Sequence, residues 1–261
     1  MPDRLRSGFF APPLPRIFAH RGLAHDGRAT DAAENTLEAF ARALAAGATH
    51  LETDVHASAD GESVISHDPD FAGADGRRIV VASLTVAELQ ARRDVPPGSF
   101  RTLREALDAF PGARFNIDVK SDAAAGPTAQ AIRALAAVDR VLVTSFDDAR
   151  RRAAVDRLPG VATSASSRTV ARALLLAVLG AQGALRRTLA DVDAVQIPQH
   201  VAGVRIVTRR TVRAFHEAGV EVHVWTVDDP REMALLLDRG VDGLVTDRCD
   251  LASRLVASRA G

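Results

Sequence analysis

The sequence predicts an α/β fold of the closed (β/α)8 barrel class, with a doubly wound open sheet as the alternative. Three observations carry this. Eight short apolar runs, near residues 17–19, 51–55, 115–119, 141–144, 161–164, 194–197, 220–225 and 243–246, alternate with helix-like stretches. The length of 261 residues suits eight such units folded as one domain, 1–261. Polar residues also fall repeatedly at the C-terminal ends of the runs, where a barrel would gather them into one pocket. His20 and Arg21 follow the first run, Asp54 and His56 the second, Asp118 and Lys120 the third, and Ser145 the fourth. Gln196 and Gln199 flank the end of the sixth, and Trp225 and Asp247 close the last two.

Taken in order, residues 1–15 form a Pro-rich lead with Pro12, Pro13 and Pro15. Two early arginines are present, but the lead lacks the long apolar core and small-residue cleavage site of a signal peptide. The first run exits through Gly22, whose freedom permits a sharp turn. A helix over 36–46 stops at Gly47. After the second run comes a small insertion, 64–101, opening on an extra strand, Val64-Ile65-Ser66, that leads to His67-Asp68-Pro69. Within it, a helix over 84–92 starts at Thr85, with Glu88 as its capping-box partner, and Pro96-Pro97-Gly98 closes it. A helix over 103–110 returns the chain to the third run. Further helices are expected over 128–137, 147–157, 169–179, 208–218 and 230–239, with Gly219 as a stop and Pro230 in a first turn.

Composition narrows the function. Apolar residues make up 47% of the chain, enough for a large core. Lys plus Arg (33) equals Asp plus Glu (33), so no basic excess exists to hold a polyanion and nucleic acid is not expected as a partner. With no Tyr and a single Trp, stacking platforms for bases are not expected either. Cys249 is the only cysteine, which excludes an intrachain disulfide and a thiolate zinc site and points to a reducing compartment. The most apolar late run, 171–180, is too short to span a bilayer. A soluble, cytoplasmic protein without membrane insertion is the expectation.

The polar strand ends suggest a chemistry. Side chains at i and i+2 of a strand point the same way, so Glu52 and Asp54 can converge on one hard cation, with a phosphate bridging to Arg21. In Asn116-Ile117-Asp118-Val119-Lys120, the polar residues share one face while Ile117 and Val119 face the helices. Asp118 can then complete a three-carboxylate set suited to Mg²⁺ or Ca²⁺ and poor for zinc. Lys120 offers a point charge to phosphate; an internal Asp118–Lys120 ion pair is the alternative. His20 and His67 are the candidates for general acid and base, since histidine titrates near neutrality and phosphodiester cleavage moves a proton at each end. His25, His50, His200, His216 and His223 lack such a context and read as structural or exposed. His56 is left open.

These residues belong to a longer pattern. His20-Arg21-Gly22 is followed by Glu34-Asn35-Thr36, by Glu52 and Asp54, by an Asp60-Gly61 turn and by His67-Asp68. Leu84 to Leu89, Thr102 to Leu107, Asp118 with Lys120, Ser145-Phe146-Asp147, Trp225-Thr226 and the closing Gly243 to Arg248 continue it. The set resembles the glycerophosphodiester phosphodiesterase family over nearly all of residues 16–255. The resemblance implies a TIM barrel that uses one divalent cation to hydrolyse a small-molecule glycerophosphodiester to glycerol 3-phosphate and an alcohol. By the same match Glu52, Asp54 and Asp118 would bind the metal, His20 and His67 would transfer protons, and Arg21 and Lys120 would hold the phosphate. Glu34 would sit near the metal or orient His20 or Arg21, and Trp225 would form an apolar wall beside the glycerol or alcohol. Two departures stand out. Asp118 occupies a position where many members have Glu, and the 23–33 spacer, with His25 and Asp26, is long enough to reshape the pocket mouth. Alternatives are a lysophospholipase D-like phosphodiesterase and a non-catalytic phosphate-binding barrel.

Overall fold

The computed structural model describes residues 7–25 and 32–260. Asp26 and the first six residues of the Pro-rich lead lie outside the described residues. In chain order the strands are β1 (Arg16–Ala19), β2 (His50–Ala57), β3 (Ser63–Ile65), β4 (Asp70–Ala72), β5 (Arg78–Val80), β6 (Phe115–Val119) and β7 (Val141–Thr144). They continue with β8 (Ala162–Thr163), β9 (Ala194–Pro198), β10 (His200–Val201), β11 (Val204–Arg205), β12 (Glu221–Trp225) and β13 (Gly243–Thr246). The helices are α1 (Leu37–Ala45), α2 (Val86–Gln90), α3 (Leu103–Ala109), α4 (Ala125–Ala134) and α5 (Asp148–Val155), then α6 (Ser167–Leu179), α7 (Gln182–Thr188), α8 (Arg209–Ala218), α9 (Pro230–Asp238) and α10 (Cys249–Ala260).

Eight strands run parallel in the order β8-β7-β6-β2-β1-β13-β12-β9, the arrangement expected from the eight apolar runs. A bridge between Ser164 and Ala194 and a 3.0 Å hydrogen bond from the Ala165 amide to the Ala194 carbonyl join the two ends, leaving a nearly closed barrel. Alternation sorts the side chains. In β6, Ile117 and Val119 pack outward into the main core between strands and helices, while Asn116 and Asp118 point inward. Helix starts follow their sequence signals: Thr36 caps α1, and Thr85 and Thr102 form full capping boxes with Glu88 and Glu105. Helix α4 begins three residues earlier than the sequence suggests, because Pro127 sits in its first turn, where the missing amide costs nothing.

Between β2 and α3 the chain makes its excursion. β3 pairs antiparallel with β2, β4 pairs with β5, and Val64, Val81, Leu89 and Phe100 form a small separate core beneath Phe71 and Leu84. Helices α7 and α10 and the β10–β11 hairpin carried no clear signal in the sequence. Helix α6 is displaced from the usual barrel position. Its first amide, on Ser167, donates to the Phe146 carbonyl (3.1 Å), and near its end the Val178 carbonyl accepts from Arg210 at the start of α8 (2.9 Å). Both ends thus lie at the rim formed by the strand C-termini. Helix α7 takes the place against α8, with Gln182 and Arg186 donating to the Ala214 and Glu217 carbonyls. Among the described residues no helix is long and apolar enough to cross a membrane.

The opposite end of the barrel is plugged. Phe9 and Phe10 cover it, stacked with Phe18 and His50, and Phe18 in turn meets His223 with ring centroids 4.6 Å apart. Gly243 makes room for that stack, since a Cβ there would lie 2.7 Å from the Phe18 ring and 2.9 Å from His223. Arg16 forms a two-point pair with Glu221 (2.7 and 2.6 Å), which holds the Glu221 carboxyl down at about 2 despite its burial. His50 and His223 are therefore structural, as the sequence suggested. His50 donates from Nε2 to the Phe9 carbonyl and receives Thr49 Oγ1 at Nδ1, both at 2.8 Å, the pattern of a neutral ring.

Burial pushes the His50 pKa from 6.5 down to about 3. Between those values the unfolded chain holds a proton at this ring that the folded chain does not, so stability falls as pH falls through the window. The expected contribution is about 1.4 kcal/mol per pH unit, read by urea denaturation at several pH values. Replacing His50 by Gln should flatten the slope relative to the parent; an unchanged slope would place the acid lability elsewhere.

Candidate active site

At the strand C-termini a cavity of about 670 Å³ brings together eight of the nine residues singled out from the sequence, among them His20, Arg21, Glu52, Asp54, His67, Asp118 and Lys120. Trp225 lines it as well, so Glu34 is the one that stands outside the lining, although it touches Arg21.

Register sets the acidic group. β2 and β6 pair in parallel with Asp54 beside Asp118 and Glu52 beside Asn116, so three carboxyls project into one region of the barrel interior. All three are buried. Asp54 is the most heavily contacted. It accepts from Asn35 Nδ2 (3.2 Å), and its two oxygens lie 3.3 Å from Arg21 Nε and 2.9 Å from Lys120 Nζ. Asn35 is itself fixed by the Thr53 hydroxyl, which donates to its side-chain carbonyl (2.8 Å). Lys120 Nζ also lies 2.7 Å from Asp118 Oδ2, so the ion pair considered as the alternative reading is present. The charges of Asp118 and Asp54 overcome the opposing effect of burial and raise the Lys120 pKa, keeping it cationic.

Two groups in this region carry unspent capacity. Glu52 receives only the Arg21 amide (3.1 Å) among the described contacts, and burial, followed by repulsion from Asp54, pushes its carboxyl up to about 8. Asp118 Oδ1 is buried without a hydrogen-bond partner, and burial raises the Asp118 pKa against the pull of Lys120. As they stand, with Lys120 bridging Asp54 and Asp118, no three His, Cys, Asp or Glu side chains among the described residues are grouped closely enough to hold a metal ion. The chemistry of the donors nevertheless fits a hard divalent cation: all oxygen, concentrated negative charge, and a buried oxygen with no other partner.

The backbone is strained where it serves this region. Arg21 and Asn35 both adopt left-handed φ values of 56°, unfavourable for a long side chain such as Arg21, and the Asn35 amide donates to the Arg21 carbonyl (2.9 Å). Gly22 follows at φ 87°, and a Cβ there would approach the Ala39 backbone of α1 to 2.7 Å. This tight exit aims the Arg21 amide at Glu52 and its guanidinium at Asp54 and Glu34 (3.0 Å).

Each candidate proton-transfer histidine has a carboxylate behind it. His20 Nδ1 lies 2.7 Å from Asp247 Oδ1, just past β13, the strand paired with β1. Burial works to lower the His20 pKa, but the Asp247 hydrogen bond and then the charges of Glu52 and Asp247 outweigh it, and the net shift is upward. His67 Nδ1 lies 2.8 Å from Asp68 Oδ1, and its carbonyl accepts from His56 Nε2 (3.2 Å), which gives His56 a supporting role. In both histidines Nε2 is left for exchange with a substrate. The sequence reading placed Asp247 at the pocket end of the last strand without giving it a role, and assigned neither Asp68 nor Asn35 to the site, though each stands within a quoted motif. It also left out Phe146, whose exposed ring meets Trp225 edge-on (5.9 Å) with Lys120 Nζ 5.5 Å from its centre. The far side of the cavity is apolar, from Trp225 and Phe146 across to Val170 and Leu174 of α6 and to Val201 and Ile206 at the hairpin.

A model of the Glycerophosphoryl diester phosphodiesterase family matches residues 20–251. The chain is 39% identical over 226 residues, 86% of each sequence, to the Mycobacterium tuberculosis protein named Probable glycerophosphodiester phosphodiesterase 2. Its fold is similar to a glycerophosphodiester phosphodiesterase crystal structure from Agrobacterium tumefaciens, with a TM-score of 0.74 and 24% identity, covering 95% of this chain and 100% of that one. An Oleispira antarctica phosphodiesterase solved with the product sn-glycerol-3-phosphate gives a TM-score of 0.71 at 20% identity, covering 94% of this chain and 97% of that one.

Since Asp247 is the strongest influence raising the His20 pKa, replacing it by Asn should move the His20 titration to lower pH, as followed by NMR of the imidazole. An unmoved titration would show that the 2.7 Å contact has no electrostatic effect.

Proposed function

The chain belongs to the glycerophosphoryl diester phosphodiesterase family and is a phosphoric diester hydrolase of that kind, and from that premise we propose that it cleaves glycerophosphodiesters to glycerol 3-phosphate and an alcohol with His20 and His67 moving the protons. The observation that carries the reading is that His20 and His67, each backed by a carboxylate, Asp247 and Asp68, line one cavity with three buried carboxyls and two cations. The product bound by the Oleispira antarctica relative supports glycerol 3-phosphate as the product here.

We propose that Glu52, Asp54 and Asp118 hold one divalent cation, Mg²⁺ or Ca²⁺. When bound, such an ion supplies positive charge against the phosphoryl oxygens. Arg21 and Lys120 add fixed charge on the same phosphate, Arg21 as a planar fork held by Glu34 and Lys120 as a point charge. Catalysis follows because these charges are in place before the pentavalent phosphorus develops its extra negative charge. Trp225 and Phe146 wall the apolar side, where the organic part of the diester packs.

His20 is the proton donor in this proposal. Asp247 and the neighbouring acids favour its charged form, so it reaches the leaving oxygen still carrying a proton, which it gives up from Nε2 as the P–O bond breaks. His67, at the more exposed edge of the cavity, takes the proton from the attacking water, and Asp68 stabilises the imidazolium that results. Family membership removes the non-catalytic barrel as an alternative.

With purified protein and glycerophosphocholine, the product expected is glycerol 3-phosphate with free choline, and release of phosphocholine would overturn the assignment. His20→Ala and His67→Ala should each lose on the order of a hundredfold or more in turnover on this substrate. On a diester with a nitrophenol leaving group, which departs without protonation, His20→Ala should recover most of the loss and His67→Ala none. Equal recovery in both would refute the division of roles.

A further inference from the structure

Helix α6, laid across the cavity mouth, continues an apolar surface beyond the substrate cavity. Its Val170, Ala171 and Leu174 line the cavity, whereas Leu175, Val178 and Leu179 stand in the open with exposures of 59%, 57% and 68%. The β10–β11 hairpin beside it adds Val204 at 65%. The charge pattern around this surface is one-sided. Although the whole chain balances 33 basic against 33 acidic residues, no Asp or Glu occurs in residues 157–190 or 194–216. Arg168, Arg172, Arg205 and Arg209 are exposed there, and none of the four forms an ion pair among the described residues.

We propose that this rim docks onto an anionic lipid bilayer and holds the cavity mouth against it. Exposed leucines and valines on a helix and a hairpin tip can enter the interfacial zone, while the flanking guanidinium groups meet lipid phosphates. An apolar patch on two segments that carry arginines and no carboxylate of their own, with Asp148 and Glu232 meeting them only at Ser166 and Gln199, is costly in water and matched to a negatively charged interface. A second copy of the chain would bring the same cations face to face, a repulsion that a bilayer does not impose. The surface is continuous with the cavity through Leu174 and Leu175, so a docked molecule would meet diesters leaving or resting in the membrane surface. The inference goes beyond the proposed reaction and does not require it.

The test is co-sedimentation of the full chain with vesicles of phosphatidylcholine alone or mixed with phosphatidylglycerol, at low and high salt. The expected result is sedimentation with the phosphatidylglycerol vesicles, weakening at high salt. The combined Leu175→Glu, Leu179→Glu and Val204→Glu variant should lose about tenfold or more in partitioning. Its hydrolysis of soluble glycerophosphocholine should match the parent, which also verifies its fold. A parent chain that stays in the supernatant, or a variant that sediments equally, would overturn the proposal. So would a dimer, by light scattering, that the triple variant converts to monomer, since the rim would then belong to a second copy. Loss of vesicle binding with intact soluble hydrolysis, or the reverse, separates this proposal from the proposed reaction.

Discussion

The structure depends on one constraint: three carboxyls, Glu52, Asp54 and Asp118, are buried side by side at the open end of a barrel. Concentrated negative charge in a low-dielectric interior has to be neutralised by cations, by protons or by donors. All three answers are visible. Lys120 and Arg21 supply charge, Asn35 and the Arg21 amide supply donors, and Glu52 resists ionisation. The positive-φ backbone at Arg21 and Asn35 and the close approach of Gly22 to α1 follow from the need to bring those donors within reach. The proposed phosphate and cation would present the same charges that these acids and bases already seek.

The two ends of the barrel show how burial decides what a histidine does. His50 and His223 at the floor are enclosed by Phe9, Phe18 and Gly243, and burial keeps His50 neutral. His20 at the mouth has the carboxyls of Asp247 and Glu52 beside it, and its shift goes the other way. The floor is closed by stacking and by the Arg16–Glu221 pair, leaving the mouth free to accommodate strain.

Much of this was legible in the sequence because barrel strands are short and their alternation is strict. The polar–apolar alternation from Asn116 to Lys120 identified a strand with a polar interior, and the Glu52–Asp54 spacing identified its neighbour. What could not be read were contacts between distant segments: Asp247 behind His20, Asn35 beneath Asp54, and the reach of Lys120 to Asp54 as well as to Asp118. Local signals also misled where they were ambiguous, as when Pro127 concealed the start of α4. The helical character of 169–179 was plain, but its position across the mouth depends on the Phe146 and Arg210 contacts, which no local pattern encodes.

The central claim is that the three carboxyls form a site for one divalent cation. Isothermal titration calorimetry of Mg²⁺ and Ca²⁺ into EDTA-treated, dialysed protein tests it without reference to turnover. The account expects one ion per chain, with binding abolished by Glu52→Gln and by Asp118→Asn in variants whose circular dichroism matches the parent. No heat of binding with either ion, or binding that survives both substitutions, would contradict it.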